Sequence, residues 1–219
     1  MKAEKAQYYA KNFEQVEQRD RILLRNPVFI TGLGLAPIVV AATNLNNALI
    51  IGFMVLLLLL PTRVIAAIVS RLVLYRFRSI VYALTSAIVY VGAYYVTRNL
   101  FGTQVQMVGI YLPLLVLDPI IIKRYEKPAK ETIATAFTKG FLTTIGFELA
   151  LFSTAALREF LAYGTLFGIK IISNSPMPFV ALVSGGFILM GVVAAFWRAV
   201  IARFRKTIYE EVAQDASDT

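Results

Sequence analysis

The 219-residue sequence contains neither cysteine nor histidine, and it is poor in charge. Without these two side chains the chain itself cannot form a disulfide, a zinc site, a Cys-bound iron–sulfur cluster, His-ligated haem, a Ser-His-Asp triad or a thiol nucleophile. Only 16% of the residues are charged, 58% are hydrophobic, and the mean hydropathy is +0.68. These values exclude an ordinary soluble domain, a disordered chain and a coiled coil, and they predict a membrane protein.

What the chain has instead is a series of six apolar segments. Four of them approach or exceed the roughly 20 residues that a spanning helix needs. These four cover residues 47–73, 80–97, 133–157 and 178–197. The other two, 27–43 and 104–122, are short and interrupted. The interrupting residues are Gly32, Gly34 and Pro37 in one segment, and Pro113 and Pro119 in the other.

The order of the segments, short, long and medium, occurs twice, over residues 27–97 and 104–197. Three crossings per half would insert the second half upside down, and inverted repeats with broken helices are typical of transporter cores. We therefore expect an all-α membrane protein whose six transmembrane helices, within residues 27–204, form two inverted three-helix repeats. Each repeat is expected to open with a broken half-helix.

The positions of Lys and Arg predict the orientation. They concentrate in residues 1–26, around Arg71–Arg78, in 123–130 and after residue 197, whereas the intervening connections hold few. By the positive-inside rule both termini are cytoplasmic. Residues 1–26 are then expected to be a cytoplasmic amphipathic segment, and 205–219 a polar cytoplasmic tail, of a cell-membrane protein. The net charge of +9 indicates the lipid bilayer as a partner, and not nucleic acid.

Three charged residues in the apolar segments are candidate intramembrane ion or proton sites: Glu148, Asp118 and Arg63. A carboxylate at bilayer depth needs a proton, a partner or a water-filled cavity. Glu148 fits an ion or proton role and a neutralised structural role equally well. Asp118 also fits snorkelling or pairing with Lys123, and Arg63 could pair with one of these acids across the repeat interface.

Three stretches carry a resemblance to a known family. They are Asn26-Pro27-Val28 with Gly32-Leu33-Gly34-Leu35-Ala36-Pro37, then Gly109-Ile110-Tyr111-Leu112-Pro113-Leu114-Leu115-Val116, and Arg158-Glu159-Phe160-Leu161-Ala162-Tyr163-Gly164-Thr165-Leu166-Phe167-Gly168. The chain resembles the integral subunits of Rnf electron-transport complexes and Na+-translocating NADH:quinone reductases, over about residues 20–204. Its cytoplasmic N-terminus makes it similar to the Rnf E and Nqr D branch.

The resemblance implies that each half-helix should carry a Cys, and that two related subunits should together bind one iron–sulfur cluster with four thiolates. At the corresponding positions this chain has Ala36, in Gly34-Leu35-Ala36-Pro37, and Pro119, after Asp118. Neither side chain can ligate a metal. We therefore expect this chain to bind no cofactor alone, with flavin or quinone carried through partners.

The same resemblance assigns partners. They are a related inverted six-helix subunit, flavin-bearing subunits and cytoplasmic redox subunits. In that family the loop after the fifth span packs against neighbouring subunits, which makes Arg158 and Glu159 a candidate interface or outer-gate pair.

Three functions remain open from the sequence. The first is a subunit that passes or scaffolds electron flow in an Rnf/Nqr-like complex toward flavin-bearing partners, with extracellular electron transfer as one setting. Such a chain would be at most a non-catalytic subunit of a redox-driven membrane oxidoreductase or translocase. The second is an ion- or small-molecule-translocating transporter built on the same inverted-repeat core, and the third is an accessory assembly protein. The sequence has no Gly-rich nucleotide-binding loop, which argues against ATP-driven transport by this chain alone.

Overall fold

The computed structural model describes residues 20–119 and 132–217 of the chain, and in this part it is predominantly helical. The first interrupted segment contains a short helix, α1 (Pro27–Thr31), and a π-helical turn (Pro37–Ala41). The long helices are α2 (Leu45–Val69), α3 (Arg78–Phe101), α6 (Ile133–Tyr163) and α7 (Val183–Ser217). Between α3 and the gap lie α4 (Val105–Val108), α5 (Tyr111–Leu114) and a 3-10 turn (Leu115–Leu117). Strands β1 (Thr165–Leu166) and β2 (Ile169–Lys170) form an antiparallel ladder after α6, and a 3-10 turn (Pro178–Ala181) precedes α7.

Four helical stretches are long and apolar enough to cross a membrane, which confirms the predicted class of a helical membrane protein. They are Leu45–Val69, Arg78–Val108, Ile133–Tyr163 and Val183–Thr207. Both short segments are broken into pieces, as their Gly and Pro residues predicted. The predicted N-terminal amphipathic segment lies largely outside the described residues, as does the basic loop with Lys123.

The ends of three long helices differ from the predicted segments for local reasons. Asn44 caps α2 by accepting a hydrogen bond from the backbone N–H of Asn47 (2.8 Å), so that helix begins at Leu45. The sequence placed the end of the fifth span at residue 157, but α6 continues to Tyr163 and ends at Gly164 in the left-handed conformation. The last helix starts at Val183, after the 3-10 turn, and runs beyond the membrane-spanning stretch to Ser217.

The core is built around the antiparallel pair of α2 and α6, with α3 on the other side of α2. Gly52 of α2 faces Glu148 of α6, and Gly140 of α6 faces Leu60 and Arg63 of α2. Small residues at such crossings let two helices approach closely in an apolar environment. Both broken segments pack into this core through fully buried side chains, namely Leu33, Ile38, Leu112 and Leu115.

Two helices, α3 and α7, have largely exposed apolar faces. Leu84, Ile88 and Val91 are exposed on α3, and Phe187, Val192 and Phe196 are exposed on α7. In a membrane-spanning helix such faces contact lipid or neighbouring helices.

Two glycines of α7 provide a test of this packing. A Cβ on Gly185 would collide with the backbone of Phe179 and Val180, whereas a Cβ on Gly191 would meet no atom within 4 Å. We expect Gly185→Ala to destabilise the folded protein by about 1–3 kcal/mol, because backbone cannot move aside as a flexible side chain can. The measurement is the thermal unfolding midpoint of the detergent-solubilised protein.

The matched control is Gly191→Ala, which should leave the midpoint unchanged or raise it, since Ala is the better helix former. Equal midpoints for the two variants would contradict the packing of α7 on the turn before it.

Candidate functional site

The first broken segment is held by side chains where its helical hydrogen bonds stop. The Asn26 side-chain oxygen accepts from the backbone N–H of Val28 (2.9 Å), and its Nδ2 donates to the carbonyl of Gly146 in α6 (2.8 Å). Gly32 and Gly34 both have positive φ, which lets the chain turn between α1 and the π-helical turn. The carbonyl of Ala41, at the end of that turn, accepts from the Asn47 side chain (3.0 Å).

Glycine and proline interrupt the second broken segment in a similar way. Gly109 has a positive φ between α4 and α5, and Pro113 lies within α5. The carbonyl of Val116, in the following 3-10 turn, accepts a hydrogen bond from Ser86 of α3 (2.9 Å). Side chains of neighbouring helices therefore satisfy carbonyls that a continuous helix would have satisfied itself.

The two breaks meet in the core through Asp118 and Gly34. Asp118 is only 6% exposed, and its carboxylate accepts a backbone hydrogen bond from Gly34. A Cβ on Gly34 would lie 3.5 Å from Asp118 Oδ2 and would overlap the ring of Phe147. Asp118 thus joins the ends of the two breaks, an arrangement that the sequence did not predict.

The residues at the breaks do not fit an iron–sulfur cluster. Ala36 is exposed and Pro119 is buried, and neither has a donor atom that a metal could use. The chain has no cysteine, and in the part that the structure describes no three His, Asp or Glu side chains are grouped to hold a metal. The Phe147 ring packs tightly against Gly34 beside this junction, and its carbon atoms offer no ligand.

Arg158 is the most extensively bonded side chain of the site. Its guanidinium is 1% exposed and donates to the carbonyls of Val180 (3.1 Å), Ala181 (3.2 Å) and Leu182 (3.3 Å) in the turn before α7. It also donates to the carbonyl of Val39 in the first break. Arg158 therefore binds carbonyls of two irregular segments, the first break and the turn before α7, which lie far apart in the sequence.

Glu159 is equally buried, at 2% exposure, but it binds donors. Its Oε2 accepts from the backbone N–H of Leu45 (2.7 Å), the first residue of α2. Its Oε1 accepts from Gly168 N–H (2.8 Å) and from the Thr165 hydroxyl (3.0 Å) of the β-ladder hairpin. The carboxylate thus stabilises the positive end of α2 and fixes the hairpin to the end of α6.

These contacts show where the structure places the residues that the sequence singled out as an interface or outer-gate pair. Arg158 and Glu159 are neighbours in sequence, yet the described contacts join each to a different set of backbone groups. A role in contacting another subunit or in gating stays a prediction.

Glu148 and Arg63 both lie at the interface of α2 and α6, about two turns of helix apart. Glu148 packs against Gly52, and Arg63, 3% exposed, packs its methylene groups against Gly140. Asp118 lies elsewhere, between the two breaks. The structure therefore brings Asp118 together with Gly34, and it separates the three charged candidates into three positions.

Sequence reasoning missed Asn26 and Gly52 as site residues. Asn26 precedes Pro27, and an Asn before a Pro is a recognised start signal for a helix, which could have identified its capping role. No sequence signal identifies Gly52, because the need for a glycine at this position comes from the Glu148 carboxyl group on the facing helix.

The fold and the site together define a multi-pass helical membrane protein with two broken segments, whose freed backbone groups are bound by buried polar side chains. The family described as "Rnf-Nqr subunit, membrane protein" matches residues 17–194. The chain belongs to this family.

Similar proteins are named as components of oxidoreductase complexes. The E component of the proton-translocating ferredoxin:NAD(+) oxidoreductase complex of Clostridium ljungdahlii is 29% identical over 80% of this chain and 83% of its own length. The E component of the ion-translocating oxidoreductase complex of Pseudoalteromonas atlantica is 28% identical over 83% of this chain and 85% of its own length. The E component of the ion-translocating oxidoreductase complex of a Shewanella species is 30% identical over 89% of this chain and 90% of its own length.

Replacing Arg158 tests its contacts with the backbone. Arg158→Met leaves several buried carbonyls without donors, and Arg158→Lys keeps the charge but cannot donate in the same planar geometry. Hydrogen bonds to charged groups contribute about 1.5–3 kcal/mol each, so we expect both variants to unfold at clearly lower temperature. The matched control is Arg98→Lys, because Arg98 is exposed at the end of α3 and its replacement should leave the unfolding temperature unchanged.

Glu159→Gln tests the acceptor role. A Gln amide has one oxygen and one NH2 group, so either Leu45 N–H or the hairpin must lose its acceptor. We expect a loss of about 1–3 kcal/mol in thermal stability, whereas Glu210→Gln on the exposed end of α7 should cost nothing measurable. A Glu159→Gln protein as stable as the wild type would contradict the described bonds.

Proposed function

We propose that this chain is an integral membrane subunit of an Rnf/Nqr-like electron-transfer complex, and that it scaffolds or passes electron flow without iron–sulfur ligands of its own. Its membership of the family supports this, as do relatives named as components of oxidoreductase complexes. The observation that carries the proposal is the pair of broken segments joined by Asp118 and Gly34, which keeps a family-like architecture where Ala36 and Pro119 supply no ligand.

The proposal includes six crossings arranged as two inverted repeats. The caps of α2 and α6, Asn44 and Thr132, are separated by the same number of positions as the glycines Gly52 and Gly140. Leu60 and Glu148 have this separation too, and the contact of Gly52 with Glu148 is mirrored by that of Gly140 with Leu60. A two-fold axis between the two antiparallel helices would produce this pattern, and it relates an inverted pair of repeats.

The orientation and the partners follow from the same proposal. The distribution of Lys and Arg favours cytoplasmic termini in the cell membrane. The exposed apolar faces of α3 and α7 offer surface to lipid and to a related inverted six-helix subunit. Because this chain has no cysteine, electrons would pass through a flavin or quinone held by partners, with flavin-bearing and cytoplasmic redox subunits at the two sides.

A transporter built on the same core is the second candidate. The observation that favours it is Glu148, a carboxylate inside a candidate span whose Oε1 is buried without a hydrogen-bond partner among the described residues. A structural subunit has no need for such a group.

The test is purification of the affinity-tagged full-length chain from native membranes in a mild detergent. We expect a second six-span subunit and flavin-containing proteins to co-purify, and we expect electron transfer from the cytoplasmic donor to stop when the gene is deleted. Mass spectrometry, flavin fluorescence and reduction kinetics measure these outcomes.

The control is the same purification with Arg98→Lys, which should retain every partner, beside an untagged strain. A chain that purifies alone, or a deletion strain with unchanged electron transfer, would reject the proposal. Iron bound through this chain would contradict the absence of ligands at Ala36 and Pro119.

A further inference from the structure

Glu148 and Glu159 are the two acidic side chains within the four candidate spans, and their surroundings are opposite. Glu159 accepts hydrogen bonds from two backbone N–H groups and one hydroxyl. Glu148 Oε1 is buried and has no hydrogen-bond partner in residues 20–119 and 132–217. Two carboxyl groups on one helix therefore differ in whether the protein stabilises a negative charge.

Glu148 lies at the centre of a candidate membrane-spanning helix. It is the middle residue of α6, so about 22 Å of helix separates it from either end at 1.5 Å per residue. A side chain of this length cannot reach either end of the helix by snorkelling.

A glycine on the facing helix makes room for this carboxyl group. The Glu148 carboxyl oxygens and Cδ occupy the space that a Cβ on Gly52 would fill, with Oε1 and Cδ 3.1 and 3.0 Å from that point. Any larger residue at position 52 would displace the carboxyl group. The structure thus holds Glu148 between two helices, in contact with the backbone of α2.

Within residues 20–119 and 132–217, the nearby charged side chains have other contacts or lie on another face of α6. Arg63 packs against Gly140, two turns away along α6, and Asp118 is bound by Gly34. Arg21 donates to Thr143 (3.3 Å) on another face of α6, and Lys139 lies half a helical revolution from Glu148. An ionised carboxylate without donors is costly in an apolar interface, whereas the neutral acid is tolerated.

We propose that Glu148 is a proton-binding site, at which this chain takes up and releases H+ in the middle of the membrane between α2 and α6. The step is simple protonation of a carboxylate, so it needs no oxidant, reductant or further reactant. The assignment goes beyond the proposed function, because it gives this chain a proton site of its own whichever cofactor the partners hold.

The test is labelling of the full-length protein in native membranes with the apolar reagent dicyclohexylcarbodiimide, which converts neutral carboxylic acids in apolar surroundings into stable N-acylureas. Peptide mass spectrometry should find the adduct on Glu148 and not on Glu159, and the yield should fall as the pH is raised. Glu148→Gln should lose the adduct, while the exposed control Glu210→Gln should keep it.

Two results would overturn the proposal. One is recovery of the Glu148 peptide unmodified throughout the pH series. The other is suppression of labelling by NaCl but not by choline chloride at fixed pH, which would make the site a metal-cation site. Partner co-purification is scored separately, so failure of the labelling leaves the electron-transfer proposal standing, and the reverse also holds.

Discussion

Every backbone N–H and C=O group in an apolar environment must find a partner within the protein, and the structure depends on this constraint. The four long helices meet it mostly through their own backbone hydrogen bonds. The broken segments cannot, because Gly34 and Pro37 in one, and Gly109 and Pro113 in the other, stop the helical pattern. Polar side chains from neighbouring helices complete the hydrogen bonding, and the position of each break is therefore tied to the helix that supplies its partner.

The adjacent pair Arg158 and Glu159 shows how two buried charges serve this purpose without forming an ion pair. Arg158 binds carbonyls at the first break and in the turn before α7, where the backbone presents partial negative charge. Glu159 binds the N–H group that starts α2, where the backbone presents partial positive charge. Residues 42–44 connect the π-helical turn to α2. Arg158 binds the backbone before this connection and Glu159 binds the backbone after it, so two adjacent, oppositely charged residues of α6 hold both of its ends.

Much of the architecture was predictable because it depends on local rules. Apolar length identified four of the six predicted spans, and Gly and Pro predicted both interruptions. The end of α6 was placed too early, since the apolar segment stops at residue 157, just before the charged pair Arg158 and Glu159. Both side chains are buried and hydrogen-bonded, and α6 continues to Tyr163. Asp118 illustrates the same limit, because the backbone of Gly34, from which its carboxylate accepts a hydrogen bond, lies far away in the sequence.

The sequence by itself determined that this is a membrane protein, that two of its segments are broken, and that it has no thiolate or imidazole with which to bind a metal. These conclusions depend only on which side chains exist and how they are spaced. The tertiary structure alone decided that Glu159 is surrounded by donors while Glu148 lies against a bare glycine. The reason is that the state of a buried carboxyl group is set by the atoms that face it, and those atoms come from another helix.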